Sequence, residues 1–239
     1  MKVVAIISEY NPFHNGHEYQ IKKVRELFGE DTAVIAIMSG NFTQRGELAV
    51  TDKTIRAKAA VLCGVNLVLE LPFPFCMSSA EFFAKSGVKI ADKIGIVDYL
   101  VFGSENGDVS ELSDIAAISS GEEYKLTLDA LTQDGQYKDY GYPELCQIAL
   151  SKVYGKAIPR DFFGPNNILA IEYIKALKSA KGNVILRSLR PGNSETLHLE
   201  AKMKQVQAWE IVKGSPNVSQ KLKDELRTLF LKFDIPIKP

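Results

Sequence analysis

Two imidazoles three residues apart, with a glycine between them, can grip a phosphate, and His14-Asn15-Gly16-His17 supplies that arrangement. Only three histidines occur in the chain, and two of them fall in this window. Both rings can point to one side of a helix start and donate hydrogen bonds to phosphate oxygens, while Gly16 lets a nucleotide approach the backbone closely. The free N–H groups of a helix start favour the same anion. When the α-phosphate of ATP is attacked, negative charge gathers on its oxygens and on the departing pyrophosphate. Donors placed there act more strongly on the transition state than on bound ATP. Each such donor is worth roughly 3 kcal/mol of barrier, about a hundredfold in rate. The window therefore points to nucleotidyl transfer, with His14 and His17 as candidate catalytic residues.

Further side chains could serve the same chemistry. Asn41, Gln44 and Arg45 lie in the segment Gly40 to Gly46, which could hold phosphate or RNA or could be a solvated loop. Asp52 opens the next helix either as a cap or as a catalytic group. Lys53 and Arg56, one turn apart, could present one positive face to phosphate. Glu105, beside Gly103, could orient ribose hydroxyls or be a plain loop carboxylate. Phe73, Phe75, Phe82 and Phe83 form an aromatic cluster that reads more readily as core than as a base-stacking platform.

The histidine window needs a strand before it and a helix after it, and the sequence provides both. Val3 to Ser8 is a continuous β-branched and Ala/Ile run, as in a strand buried on both faces of a parallel sheet, and it is closed by Tyr10-Asn11-Pro12. A helix is predicted from about Gly16 to Phe28, ending at Gly29. The alternation repeats: strands at Thr32 to Met38, Asn66 to Leu71 and Val97 to Phe102, and helices at Thr51 to Cys63 and Ser79 to Ile94. Such βα repetition predicts an α/β fold, a Rossmann-like (HUP-type) parallel sheet with helices on both faces. In sheets of that kind ligands sit at the carboxyl ends of the strands, where His14 and His17 fall.

From Val109 the pattern turns helical, predicting a helical insertion or cover over 109–160. A further helix follows from Asn166 to Ala180, and a fifth strand from Asn183 to Leu186. The nucleotide-binding domain is thus expected over 1–190 and a helical C-terminal appendage over 191–239. Lysines in that tail are interleaved with acids, the mark of a solvated helix surface.

Composition sets the outer bounds. With 239 residues, 46% hydrophobic and 24% charged, the chain is an ordinary globular one. Its 29 basic and 29 acidic residues cancel, so an RNA partner has to be argued from a local site. Cys63, Cys76 and Cys146 show no CxxC spacing, so neither a zinc site nor a disulfide framework is expected, and no metal ligands are assigned. No apolar run reaches transmembrane length, so the expectation is a cytoplasmic protein without membrane contact.

HxGH is the signature of the HIGH-motif nucleotidyltransferase superfamily. Within it, Glu9-Tyr10-Asn11-Pro12-Phe13-His14-Asn15-Gly16-His17, followed by Met38-Ser39-Gly40-Asn41-Phe42-Thr43-Gln44-Arg45-Gly46-Glu47, resembles the bacterial tRNA(Met) cytidine acetate ligase family. Asp52-Lys53 with Arg56, Leu69-Glu70-Leu71-Pro72, Ala80-Glu81-Phe82-Phe83-Ala84, Phe102-Gly103-Ser104-Glu105 and Asn166-Asn167-Ile168-Leu169-Ala170-Ile171-Glu172-Tyr173 extend the resemblance over about residues 1–187.

The resemblance implies ATP-dependent activation of acetate as acetyl-adenylate, then acetylation of N4 of the wobble cytidine of elongator tRNA(Met). Mg²⁺ would come with ATP, carried by its phosphates. It also implies that ATP is wrapped by Ile7, Ser8, Glu9, Tyr10, Asn11, Pro12, Phe13, His14, Asn15, Gly16, His17 and Gln20. Gly103 would let the nucleotide approach, Asn167 would contact it, and Arg187 or, alternatively, Arg190 would supply the family's later arginine. Asn41, Gln44, Arg45, Lys53, Arg56 and Arg190 would be the phosphate or tRNA contacts. After Arg187 the family's Ser-Ser-Ala-rich motif is not visible, which reads as a truncated or divergent member. The alternatives are a nucleotidyltransferase acting on a small phosphorylated metabolite, or a nucleotide-binding paralogue with weakened catalysis.

Overall fold

Five strands pair in parallel: Val3–Ser8 (β1), Ala33–Ser39 (β2), Leu67–Leu71 (β3), Tyr99–Gly103 (β4) and Ile185–Leu189 (β5). The structure, a computed structural model, describes residues 1–105, 109–180 and 184–189. Strand order is β3-β2-β1-β4-β5. Parallel neighbours need crossovers, and helices supply them. Asn15–Phe28 (α1) and Lys53–Leu62 (α2) carry the chain outward from β1 to β3, and Ala80–Ile94 (α3) brings it back to β4. The order therefore reverses between β1 and β4, and ligands of such sheets bind in the crevice at that reversal. The Rossmann-like α/β fold expected from the βα alternation is the fold observed.

Side-chain alternation along the strands splits the core into two layers. Val4, Ile6, Val34, Ala36 and Val101 meet Ile21 and Val24 of α1 and Ala60 of α2. Ala5, Ile35, Ile37, Leu100 and Phe102 face the other way, onto α3 and onto two later helices, Val109–Ser119 (α4) and Pro165–Lys178 (α7). Gly87 marks where α3 crosses β1, since a Cβ there would meet Ile7 Cδ1 at 2.6 Å. Between α4 and α7, Glu122–Gln133 (α5) and Tyr142–Tyr154 (α6) bury Leu128, Leu131, Leu145 and Ala149 in a small core of their own.

β5 begins at Ile185 and runs to Leu189, later than the sequence pattern suggests, so Arg187 lies within the strand. Arg190 and the tail helices expected over 191–239 lie outside the described residues. Of the four phenylalanines read as core, only Phe83 is buried there, while Phe73, Phe75 and Phe82 face solvent. Pro72 and Pro74 bracket Phe73 and stop β3, so this segment leaves the sheet before its rings can be covered.

Candidate active site

The first turn of α1 is capped by the motif's own side chains. His14 is the N-cap residue, and its Nδ1 accepts the Gly16 N–H at 3.1 Å. His17 accepts the His14 N–H on its own Nδ1 at 3.2 Å. This is a capping box in which two imidazoles take the places usually held by a hydroxyl and a carboxylate. A Cβ at residue 16 would lie 2.9 Å from His14 Cε1, so glycine is what lets the His14 ring fold back over the helix start.

The caps fix where the protons sit. A neutral imidazole that accepts on Nδ1 carries its hydrogen on Nε2, so the network assigns both rings as Nε2–H tautomers. The rings stack at 3.8 Å with 22° between their planes. Tyr10 and Phe13 flank His17 at 4.7 and 5.4 Å between centroids. Burial lowers the His14 pKa and, with His14 beside it, holds His17 well below the usual histidine range. Both rings are therefore neutral donors near pH 7.

Most of the segment before the histidines holds the loop in shape. Tyr10 is buried, with φ 47° in the left-handed region, a conformation that costs a non-glycine residue about 1–3 kcal/mol. Glu9 Oε1 accepts the Gln44 N–H at 2.5 Å, and Asn11 Oδ1 accepts the Val50 N–H at 2.7 Å. Ser8 Oγ accepts the Tyr10 N–H at 3.3 Å, and Ile7 packs beneath α3 at Gly87. Pro12, Phe13 and Gln20 are partly exposed beside the capped turn. The exit loops of β1 and β2, joined by bonds between residues 35 and 39 apart in sequence, are thus one hydrogen-bonded unit.

Arg56 locks that unit, and here the structure corrects the sequence reading. Its guanidinium is buried and donates to Thr51 O at 3.1 Å, Glu9 O at 2.6 Å, Ser39 O at 3.1 Å and the carbonyl of Gly40. A guanidinium can be buried only with its donors filled, so Arg56 does not share a phosphate-facing surface with Lys53. Lys53 Nζ is paired with both oxygens of Glu70, at 2.9 and 2.7 Å. Asp52 is the cap of α2, accepting the Thr54 N–H at 2.7 Å. Asn41 and Arg45 stay exposed on the loop after β2.

On the far side of the crevice, a Cβ at Gly103 would meet nothing within 4 Å, so the end of β4 opens onto free space. Glu105 caps α7, accepting the Asn166 and Asn167 N–H groups at 3.1 and 2.7 Å. Asn167 is fully buried: Oδ1 accepts the Glu105 N–H at 3.0 Å and Nδ2 donates to Phe162 O at 2.8 Å. It fastens the loop after β4 to α7 and presents no side-chain atom to solvent. Arg187 pairs in register with Val101, and its guanidinium lies 5.9 Å from the Tyr99 ring centre. Tyr99 also touches Phe28, the last residue of α1, so Arg187 is directed toward the end of α1 opposite to the histidines.

Two buried polar atoms at this edge, Asn15 Oδ1 and Ser39 Oγ, have no partner among the described residues. The sequence reading missed the roles of Glu70 and Arg56. For Glu70 the signal was present, a lone charge in the apolar run Leu67–Leu71. Among the described residues no three His, Cys, Asp or Glu side chains come together to hold a metal, and no helix is long and apolar enough to cross a membrane.

A family model described as HIGH Nucleotidyl Transferase matches residues 1–207. The tRNA(Met) cytidine acetate ligase of Acetivibrio thermocellus is 44% identical over 199 residues, covering 82% of this chain and 47% of that protein. The protein of the same name from Syntrophomonas wolfei is 40% identical over 203 residues, covering 83% and 47%. The chain spans about half the length of the curated relatives it matches. Among solved structures, Thermotoga maritima TmcAL bound with alpha-thio ATP superposes with a TM-score of 0.72 at 34% identity, over 97% of this chain and 56% of that one. The apo form of that protein gives a TM-score of 0.74 at 32% identity, over 99% and 59%.

Proposed function

From the premise that this chain belongs to the HIGH nucleotidyl transferase family, we propose that it is an ATP-dependent tRNA(Met) cytidine acetate ligase working in the cytoplasm. In this reading ATP lies in the crevice between β1 and β4. One acetate oxygen attacks the α-phosphorus, the bond to the β-phosphate oxygen breaks, and pyrophosphate leaves. The amine N4 of the wobble cytidine of elongator tRNA(Met) then attacks the acetyl carbonyl, expels AMP and loses a proton. Mg²⁺ bound to the ATP phosphates would neutralise part of the charge on the leaving pyrophosphate.

The observation that carries this reading is the pair of neutral Nε2–H groups on His14 and His17, stacked at the start of α1. They are preorganised by the capping box, so no reorganisation is needed as charge develops on the phosphate. Neutral imidazoles also leave the α-phosphate approachable by an anionic acetate without a competing ion pair. Gly16 makes room for the His14 ring over the helix start, and Gly103 leaves room at the end of β4. Asn15 and Ser39, each with an unpartnered buried oxygen, suit the role of ligand contacts at the same edge. Asn41, Gln44 and Arg45 border the β2 side of the crevice, where they would meet phosphate or RNA. Asn167 would act by holding the loop at Gly103 to Glu105 in place.

Acetate-dependent exchange of labelled pyrophosphate into ATP tests the first step, and mass analysis of tRNA nucleosides tests the second. Exchange with acetate and acetylated cytidine in tRNA(Met) are the expected results. Exchange that needs a phosphorylated metabolite, and not acetate, would replace this reading with the small-molecule nucleotidyltransferase. ATP binding without exchange on any acceptor would leave a nucleotide-binding paralogue.

A further inference from the structure

The edge of the sheet beyond β3 carries three exposed aromatic rings that adenylation leaves unused. Phe73 is 64% exposed, Phe75 42% and Phe82 52%. Phe73 adjoins the proposed site: its ring lies 5.9 Å from Phe42, in the loop whose Gln44 N–H is bonded to Glu9. Grouped apolar surface of this kind marks an interaction site.

A basic row starts from the same place. Lys85, Lys89 and Lys93 follow Phe82 at spacings of three, four and four, which puts all four on one stripe of α3. All three lysines are exposed, and no ion pair holds any of them among the described residues. The opposite side of α3 holds Phe83, Ala84, Gly87, Val88 and Ala91 in the core, so the stripe faces outward. In a chain whose charges cancel, three unpaired lysines in line are a local departure. From Phe82 to Lys93 the helix rises about 16 Å, enough to follow several successive phosphates of a stem.

We propose that this outer stripe of α3, with the turn carrying Phe73 and Phe75, binds the RNA that accepts the acetyl group. Unstacked loop bases rest on Phe73, Phe75 and Phe82, and stem phosphates run along Lys85, Lys89 and Lys93. The inference rests on the acetate ligase reading and names the acceptor surface for it. Two features favour RNA over a protein partner. Lysine is depleted at protein–protein contacts, whereas aromatic rings beside a basic track are how unpaired bases are held. The acceptor cytidine must also leave its stack to reach an acetyl-adenylate, and such bases are recognised by stacking on aromatic side chains.

The test uses the full chain and a fluorescent RNA hairpin whose loop carries the target cytidine, with binding followed by anisotropy over a range of salt. Substituting Phe73→Ala with Phe82→Ala should weaken binding about tenfold or more. The triple change Lys85→Glu, Lys89→Glu and Lys93→Glu should weaken it at least as much and flatten the log–log salt slope by about 2 to 3. Thermal melting and acetate-dependent pyrophosphate exchange should be unchanged in both variants. Unchanged affinity and slope would overturn the proposal, and so would failure of the unmodified chain to bind the hairpin. In that last case acetate-dependent exchange shows whether the adenylation reading still stands. Loss of a concentration-dependent dimer in the Phe73, Phe82 variant, with hairpin binding intact, would assign the rings to a second copy and also overturn it.

Discussion

His14 has one role in the fold and a second in the proposed reaction, and one substitution pair separates them. Its Nδ1 caps α1 by accepting the Gly16 N–H, and in the proposed reaction its Nε2–H meets phosphate. His14→Ala removes both. The lost cap should cost about 1 kcal/mol, which for a chain of this size lowers Tm by roughly 2–4 °C. The lost donor should raise the adenylation barrier by about 3 kcal/mol and slow acetate-dependent pyrophosphate exchange about a hundredfold. His14→Ser removes only the second, because serine is a good N-cap residue. Its Tm should stay near that of the parent while exchange falls as far as in the alanine variant. The His14 N–H that His17 accepts belongs to the backbone and survives in both. Because the donor acts mainly on charge that develops during the reaction, the loss should fall on kcat with little change in KM for ATP. A serine variant that exchanges at the parent rate would refute the assignment of Nε2–H to the phosphate, whatever its stability.

Other consequences can be checked alongside. Both imidazoles have lowered pKa values in the fold, so as pH falls through the unfolded value of 6.5 the unfolded chain takes up protons first. Stability should therefore be level above about pH 6.5 with respect to these groups and decline below it, and urea titrations of His14→Ser with His17→Gln should show a shallower decline. Arg56→Ala leaves the buried carbonyls of Ser39 and Gly40 without their donor, a loss of about 2–6 kcal/mol measurable by denaturant unfolding. Arg56→Lys should recover only part of it, since an ammonium cannot reproduce the planar fork. Gly103→Ala meets open space in the free protein, so Tm should hold, while KM for ATP rises tenfold or more if the nucleotide passes there. An unchanged KM in that variant would remove Gly103 from the site.

The sheet and its helices were legible in the sequence because each element carries its own signal. Val3 to Ile7 is apolar throughout, Gly29 ends α1, and Pro72 stops β3, all of them local facts that need no knowledge of the fold. The histidine pair was legible for the same reason, since both members lie within one helical turn. What sequence could not show is where a long side chain goes. Lys53 and Arg56 look alike in sequence, yet Lys53 meets Glu70 at the surface, and Arg56 turns inward because four carbonyls from three segments converge beneath it. The same limit applies to Asn167, whose partners Glu105 and Phe162 come from two other loops. The exposure of Phe73 and Phe75 depends on how a proline-bracketed turn leaves the sheet, which hydrophobicity does not record.

The length of the first motif follows from this division of labour. Of the residues from Ile7 to His17, Ile7, Ser8, Glu9, Tyr10 and Asn11 spend their side chains on the protein itself. The groups left to a ligand are few: two Nε2–H donors and the unpartnered Asn15 oxygen. A donor pair of this kind is effective only if it is already aimed when charge appears, and aim at a helix start depends on the loop that feeds it. Glu9 and Asn11 tie that loop to the one after β2, and Arg56 fixes both from beneath through carbonyls that cannot be replaced by a neighbouring side chain. The second motif is therefore part of the first site, even where its own side chains touch no nucleotide. Substitutions at Glu9, Asn11 or Arg56 should accordingly weaken catalysis through geometry, and their effects should not add to that of His14→Ser.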